Sequence, residues 1–293
     1  MTIDTVSSPG HGDHNEDLIA VFEQVGWTDI VIIDGASSVA DQDYVDAQQG
    51  DVVWFVREFA RALAHTASAG RRQEDSVRLA LDQVRRLFDE KTHAVAVPMY
   101  AWPIAAMTWV RIWHERGHTA LQAWCVGDCK TLLRLPGGAV LDLDPYVNAQ
   151  EGVVRDEIAK LVGQGIIDPA ARRERLLPML RARREFQNST VAPISLCLAP
   201  GGPFDAREVS MEIEPGAVLL MMTDGFYRLV DPYGLYTDEQ LATACIRHGA
   251  AALVRELRDF ELGGATGMSV KNADDASAVV CSLPTRSTSP GRT

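Results

Sequence analysis

No apolar stretch in this chain of 293 residues approaches the roughly 18 that cross a bilayer as a helix, so membrane insertion is not expected. The opening residues, MTIDTVSSPGHGDHNED, lack the basic start and apolar core of a secretory signal. Cysteine is sparse. Cys125, Cys129, Cys197, Cys245 and Cys281 are odd in number and have no paired spacing, which fits reduced thiols in a cytoplasmic protein. Basic charge is also short: 28 Lys and Arg against 40 Asp and Glu leave a net charge of -12, which argues against nucleic acid as a partner. There is no internal repeat and no clear linker, so residues 1–283 read as one domain and the polar stretch 284–293 as a disordered tail.

What is present is a set of apolar runs that end on acids. Residues 29–38 read DIVIIDGASS, where Ile30–Ile33 have the composition of a strand buried on both faces and stop at Asp34-Gly35. Taken alone, Asp-Gly is as readily a turn as a site. The pattern repeats: Val218–Met222 stop at Thr223-Asp224-Gly225, Cys125-Val126 at Gly127-Asp128, and the last strand, 276–283, starts just after Asp274-Asp275. Glu16-Asp17 precedes a strand at 18–22. Strand ends on one edge of a packed sheet converge, and so many carboxylates cannot all ionise together without a cation among them. Oxygen ligands of this kind suit Mg²⁺ or Mn²⁺.

Helical periodicity is expected over 44–66 and 74–91, and again over 238–247 and 250–261. Further strands are expected at 107–113, 119–126 and 130–135. Residues 144–195 differ: they are polar, Arg-rich and weakly helical, with Asp168-Pro169 as a helix start, and read as an insertion or flap. Its arginines, Arg172, Arg173, Arg175, Arg181, Arg183 and Arg184, read as a solvated helix face, with docking of an acidic or phosphorylated partner as the alternative. His114-Glu115-Arg116-Gly117-His118 matches the zinc-protease pattern H-E-x-x-H, but that pattern works on a helix and here falls between two strand-like runs. Cys125 and Cys129 have no partner pair and read as buried thiols. An aspartyl-phosphate mechanism on Asp34 wants a second Asp two residues on, where Ala36 stands.

In order, Asn15-Glu16-Asp17, Ile33-Asp34-Gly35, Gly127-Asp128, Thr223-Asp224-Gly225 and Asp274-Asp275-x-Ser277 resemble the motifs of the metal-dependent protein phosphatases of the 2C type, over about residues 10–283. The resemblance implies an α+β fold, a four-layer α-β-β-α sandwich with two central antiparallel sheets. It implies two divalent cations, Mn²⁺ or Mg²⁺, ligated by Glu16, Asp34, the Gly35 carbonyl, Asp224 and Asp274. Asp17, Asp34 and Asp128 would be the catalytic carboxylates. A metal-activated water would attack phosphoserine or phosphothreonine of a protein substrate in line. Three positions depart from the family pattern: the loop Ala36-Ser37-Ser38 is bulkier than the usual x-Gly-Gly, Gly12 stands where the family's phosphate-gripping arginine is expected, and Arg228 replaces a further acid. Arg228, with Asp128 as its expected partner, and His14 are therefore the candidate phosphate contacts; for His14 a plain loop position is the alternative. Loss of the usual arginine keeps open a second reading, a pseudophosphatase that binds metal and a phosphorylated partner.

Overall fold

The computed structural model describes residues 1–10, 14–115, 118–263 and 273–285. Two strands without polar alternation explain its layering. In Trp27–Gly35 (β3) Ile30–Ile33 are wholly buried, and in Val218–Met222 (β10) every residue is buried. Successive side chains point to opposite faces of a strand, so uninterrupted burial means that both faces are covered. On one face of β3, Val31 and Ile33 share a core with Phe55, Phe59 and Leu63 of Asp51–Thr66 (α1) and with Val77, Leu81 and Val84 of Gln73–Thr92 (α2). On the other face, Ile30 and Ile32 share a core with Leu219 and Met221 of β10 and with Val279 and Cys281 of Ala276–Ser282 (β11). Beyond β10, Leu220 and Met222 meet Leu241 and Cys245 of Asp238–His248 (α6) and Leu253 and Leu257 of Ala250–Leu262 (α7). The layers run helix, sheet, sheet, helix, as the resemblance implies.

One sheet orders Asp17–Gln24 (β2), β3, Ile104–Glu115 (β4), His118–Val126 (β5) and Arg207–Glu212 (β9), with Leu196–Cys197 (β8) paired to β4. The other orders Thr2–Ser8 (β1), β11, β10, Lys130–Arg134 (β6) and Val140–Asp142 (β7). Every one of these pairings is antiparallel. Between β7 and β8 in the chain come Ala149–Gly163 (α3) and Pro169–Ser189 (α4), the helices of the Arg-rich segment. Asp168 caps α4 by accepting from the Ala171 amide at 2.8 Å, with Pro169 at the first helical position, where its missing N–H costs nothing.

Three sequence expectations change. The helix expected from residue 44 starts at Asp51, because the buried Asp51 carboxylate accepts from the amides of Tyr44, Val45 and Asp46 at 2.8, 2.7 and 3.0 Å and folds that segment back as a loop. β1 carries no apolar run; it is an edge strand formed by its register with β11, from Thr2 opposite Ser282 to Ser8 opposite Ala276. The zinc reading of His114 and His118 falls with the hairpin: His114 ends near the tip of β4, and His118 is in register with position 115. The two imidazoles therefore leave the ribbon on opposite faces, and positions 116 and 117 lie outside the described residues.

Candidate metal centre

Antiparallel pairing of β2 with β3 sets Asp17 opposite Asp34, where both strands end. In the second sheet, Met222 pairs with Ala278, so Thr223-Asp224 and Asp274-Asp275 stand at one edge. The two edges are joined by side chains: the Thr223 hydroxyl donates to Asp17 Oδ2 at 2.9 Å and accepts from the Ser277 amide at 3.0 Å. Asp275 extends the joint, accepting from the amides of Gly10 and Glu16 at 2.8 and 2.6 Å. Two glycines permit the approach. A Cβ on Gly35 would lie 2.7 Å from the Glu16 carbonyl, and one on Gly225 would lie 1.9 Å from the Asp275 carbonyl, so neither position admits a side chain without displacing backbone.

The resulting electrostatics are strained. Burial, with Asp224, Asp17, Asp128 and Asp274 nearby, pushes the Asp34 carboxyl well above the usual carboxylate range. Burial also raises Asp17, offset in part by hydrogen bonds from Ser277 and Thr223, and it lifts Asp224 to about 6. The charge of Asp224 is, after burial, the largest of the causes that raise Asp34, as expected of two carboxyls brought close from different sheets. Asp17 Oδ1 is buried with no hydrogen-bond partner among the described residues, in a residue 7% exposed.

The remaining candidates are each engaged by a protein donor. The Ser37 hydroxyl donates to Glu16 Oε2, and the Gly35 amide donates to the Glu16 carbonyl at 3.2 Å. Asn148, the N-cap of α3, donates to Asp128 Oδ2 at 2.7 Å. Arg228 donates to Asp274 Oδ2 at 2.9 Å and lies 3.9 Å from Glu261. The expected Arg228–Asp128 pairing is thus corrected: four residues past Asp224, after the single helical turn Asp224–Tyr227 (α5), Arg228 meets Asp274, and Asn148 takes Asp128. His14 is exposed in the segment leading into β2, while His11 and Gly12 lie outside the described residues. Among the described residues, no three His, Cys, Asp or Glu side chains stand ready-arranged around a metal position.

The arginine run is a solvated face only in part: Arg173 and Arg175 are exposed. Arg172 and Arg184 are buried. Arg184 donates to the carbonyls of Ala36 and Ser37 at 3.2 and 3.0 Å, Arg173 to that of Ser38 at 3.1 Å, and Arg181 to that of Val39 at 2.9 Å. Past Gly35 these carbonyls have left the β-ladder, and guanidinium groups supply the donors they need. Burial lowers Arg184 to about 10, with Glu16 nearby opposing the shift. Sequence reasoning missed Arg184, Ser37 and Asn148 as neighbours of the site. The density of arginine in α4 and the bulky Ala36-Ser37-Ser38 loop were the available signals.

Neither a protein-family model nor a curated protein sequence matches the chain. Solved structures match nearly all of it. The Mycobacterium tuberculosis serine/threonine phosphatase PstP/Ppp is 16% identical over 97% of this chain and 98% of its own, with a TM-score of 0.53. The PstP catalytic domain in complex with two manganese ions gives 16%, the same coverages and 0.52. The S. agalactiae serine/threonine phosphatase gives 13% identity, 95% and 98% coverage and 0.56. The chain has the fold of the 2C-type phosphatases.

In this 2C-type fold the crowded carboxyls have a measurable effect in the absence of metal. A free aspartate loses its proton near about 3.9, whereas folded Asp224 keeps it to about 6. Between those values the folded state binds more protons, so stability falls as pH rises through that window and stays lower above it. With EDTA present, Asp224→Asn should melt a few degrees above the unvaried protein at pH 7.5, and the two curves should converge toward pH 4. A variant that melts no higher than the unvaried protein at pH 7.5 would show that Asp224 carries no such load.

Proposed function

We propose that the protein is a divalent-cation-dependent phosphatase, a divergent bacterial-type member of the 2C family, that hydrolyses phosphoserine or phosphothreonine in proteins. The observation that carries this reading is the joining of the two sheet edges that bear Asp17, Asp34, Asp224 and Asp274, with Asp17 Oδ1 buried and without a hydrogen-bond partner among the described residues. That donor set is all oxygen and carries more negative charge than its surroundings neutralise, which fits Mn²⁺ or Mg²⁺. The residues that would hold the cations are Glu16, Asp34 and the Gly35 carbonyl on one side, and Asp224 and Asp274 on the other. When bound, such cations would supply an acidified water and neutralise phosphoryl oxygens.

The chain's own groups have separate tasks in this proposal. Asp17, fixed through Oδ2 by Thr223, offers Oδ1 to orient the attacking water and accept its hydrogen bond. Asp128, held by Asn148, is the further catalytic carboxylate. Arg228 and His14 face the phosphate side, and α4 fixes the loop after Asp34 through backbone carbonyls. The PstP catalytic domain, a fold relative, is solved in complex with two manganese ions. The proposed substrate is a phosphorylated protein; the net charge of -12 disfavours nucleic acid as a partner. Five cysteines, all free and buried, accord with a cytoplasmic setting.

Hydrolysis of p-nitrophenyl phosphate with Mn²⁺, abolished by EDTA, tests the proposal. Mn²⁺ at a hundred times its dissociation constant should also stabilise the fold by about 2.7 kcal/mol, read as a rise of several degrees in melting temperature. A melting curve indifferent to millimolar Mn²⁺ would count against the centre itself. A rise without hydrolysis would select the second reading, a metal-binding pseudophosphatase, which the engagement of Asp274 by Arg228 favours.

A further inference from the structure

The carboxylates at this edge do not share one electrostatic situation. Asp34 lies at the end of β3 and Asp224 follows β10, one from each sheet, and Asp17 Oδ1 is buried with no hydrogen-bond partner among the described residues. Asp274 is different: its Oδ2 accepts from Arg228 at 2.9 Å, and its backbone carbonyl accepts from Arg258 at 2.8 Å. The Arg228 side chain is only 13% exposed and lies 3.9 Å from Glu261, which Arg258 also binds at 2.6 Å. Tyr233 donates to the same Glu261 carboxylate at 3.3 Å. Arg228 is therefore a largely buried guanidinium held by Asp274 through Nη2, while its Nη1, 3.9 Å from Glu261, makes no hydrogen bond among the described residues. A guanidinium is charged at every working pH and binds carboxylates through a rigid fork, so it acts here as a fixed cation. On the Asp274 side of the cluster, a fixed cation of the protein meets the carboxylate directly.

We infer that the Arg228 guanidinium takes the place of one of two metal ions, so that the chain binds a single divalent cation, held among Glu16, Asp34, the Gly35 carbonyl and Asp224, with Asp274 serving as the partner of Arg228. The inference rests on the metal-centre reading above and divides it. A second divalent cation within reach of Asp274 would stand against a like charge that has nowhere lower in energy to go, since its alternative carboxylate, Glu261, is already bound by Arg258. Arg228 also keeps its expected task, because positive charge at this place faces the phosphoryl group much as the displaced ion would.

The experiment is a Mn²⁺ titration of EDTA-stripped protein by calorimetry, with manganese counted per chain by atomic absorption after desalting. The unvaried protein should hold one Mn²⁺. Arg228→Ala, which releases Asp274, should hold two, and Asp274→Asn should still hold one. Two ions in the unvaried protein, or one in an Arg228→Ala variant that is folded by circular dichroism, would overturn the inference. Should Arg228→Ala fail to fold, Asp274→Asn decides: one ion supports the inference and none refutes it. No manganese at all on the unvaried protein would instead overturn the metal-centre reading.

Discussion

Asp34→Ala is expected to abolish Mn²⁺-dependent hydrolysis and to remove manganese binding. Asp34 lies at the end of β3, faces Asp17 across the β2–β3 ladder and feels the charge of Asp224 from the other sheet. Cation chemistry of this kind supplies several kcal/mol of transition-state stabilisation, so the loss should reach about 10³-fold or more. The variant should nonetheless fold. In the metal-free protein Asp34 is held above its usual range by burial first and by its acidic neighbours second, so its removal relieves a cost. The expected result is thus an inactive protein whose melting temperature in EDTA is equal to or above that of the unvaried chain, and whose melting no longer responds to Mn²⁺. Calorimetry that finds unchanged Mn²⁺ affinity would show that the site has been misassigned.

The largest expected loss of stability lies elsewhere, at Arg111→Ala. Asp29 of β3 and Arg111 of β4 are cross-strand partners, each 1% exposed, joined by two hydrogen bonds of 2.7 and 2.9 Å. Trp109 and Trp27 also donate to the Asp29 carboxylate, at 2.8 and 3.1 Å, and Arg111 donates to the Ser68 carbonyl at 2.8 Å. The guanidinium lies within 5.6 Å of the ring centres of Trp27, Trp109 and Trp113. Removing one member of such a pair leaves a buried charge without its counter-ion, which costs about 3–5 kcal/mol, or roughly 10 °C in melting temperature for a chain of this size. Replacing both charges, as in Asp29→Asn with Arg111→Met, should recover part of that loss. A single Arg111→Ala variant melting within a degree of the unvaried protein would contradict the account. The pair lies on β3 and β4, the strands that carry Asp34, so a softened ladder there should also loosen the metal centre.

Much of the fold was legible from local pattern. The strands at 107–113, 119–126 and 218–222 and the helices at 74–91, 238–247 and 250–261 lie within or close to the observed elements, because their apolar spacing serves cores that are continuous in space. The unbroken burial of Ile30–Ile33 was legible for the same reason. β1 was not, because Thr2–Ser8 owes its conformation to the β11 edge and to little in its own composition. The start of α1 was not, because a carboxylate seven residues downstream of Tyr44 turns that segment away from the helix.

The site divides along the same line. By itself the sequence determined which residues end the buried strands, and hence the positions of Glu16, Asp17, Asp34, Asp128, Asp224 and Asp274; the structure assembles their edges from two sheets. Side-chain alternation and the length of an apolar run are local quantities, so a strand's end can be read without its neighbours. Only the tertiary structure decided who neutralises those acids. Asn148 reaches Asp128 across 20 residues, Arg228 reaches Asp274 across 46, and Arg184 reaches the Ala36 carbonyl across 148. A charge finds the nearest opposite charge in space, and distance in space is set by packing that no single stretch of chain contains.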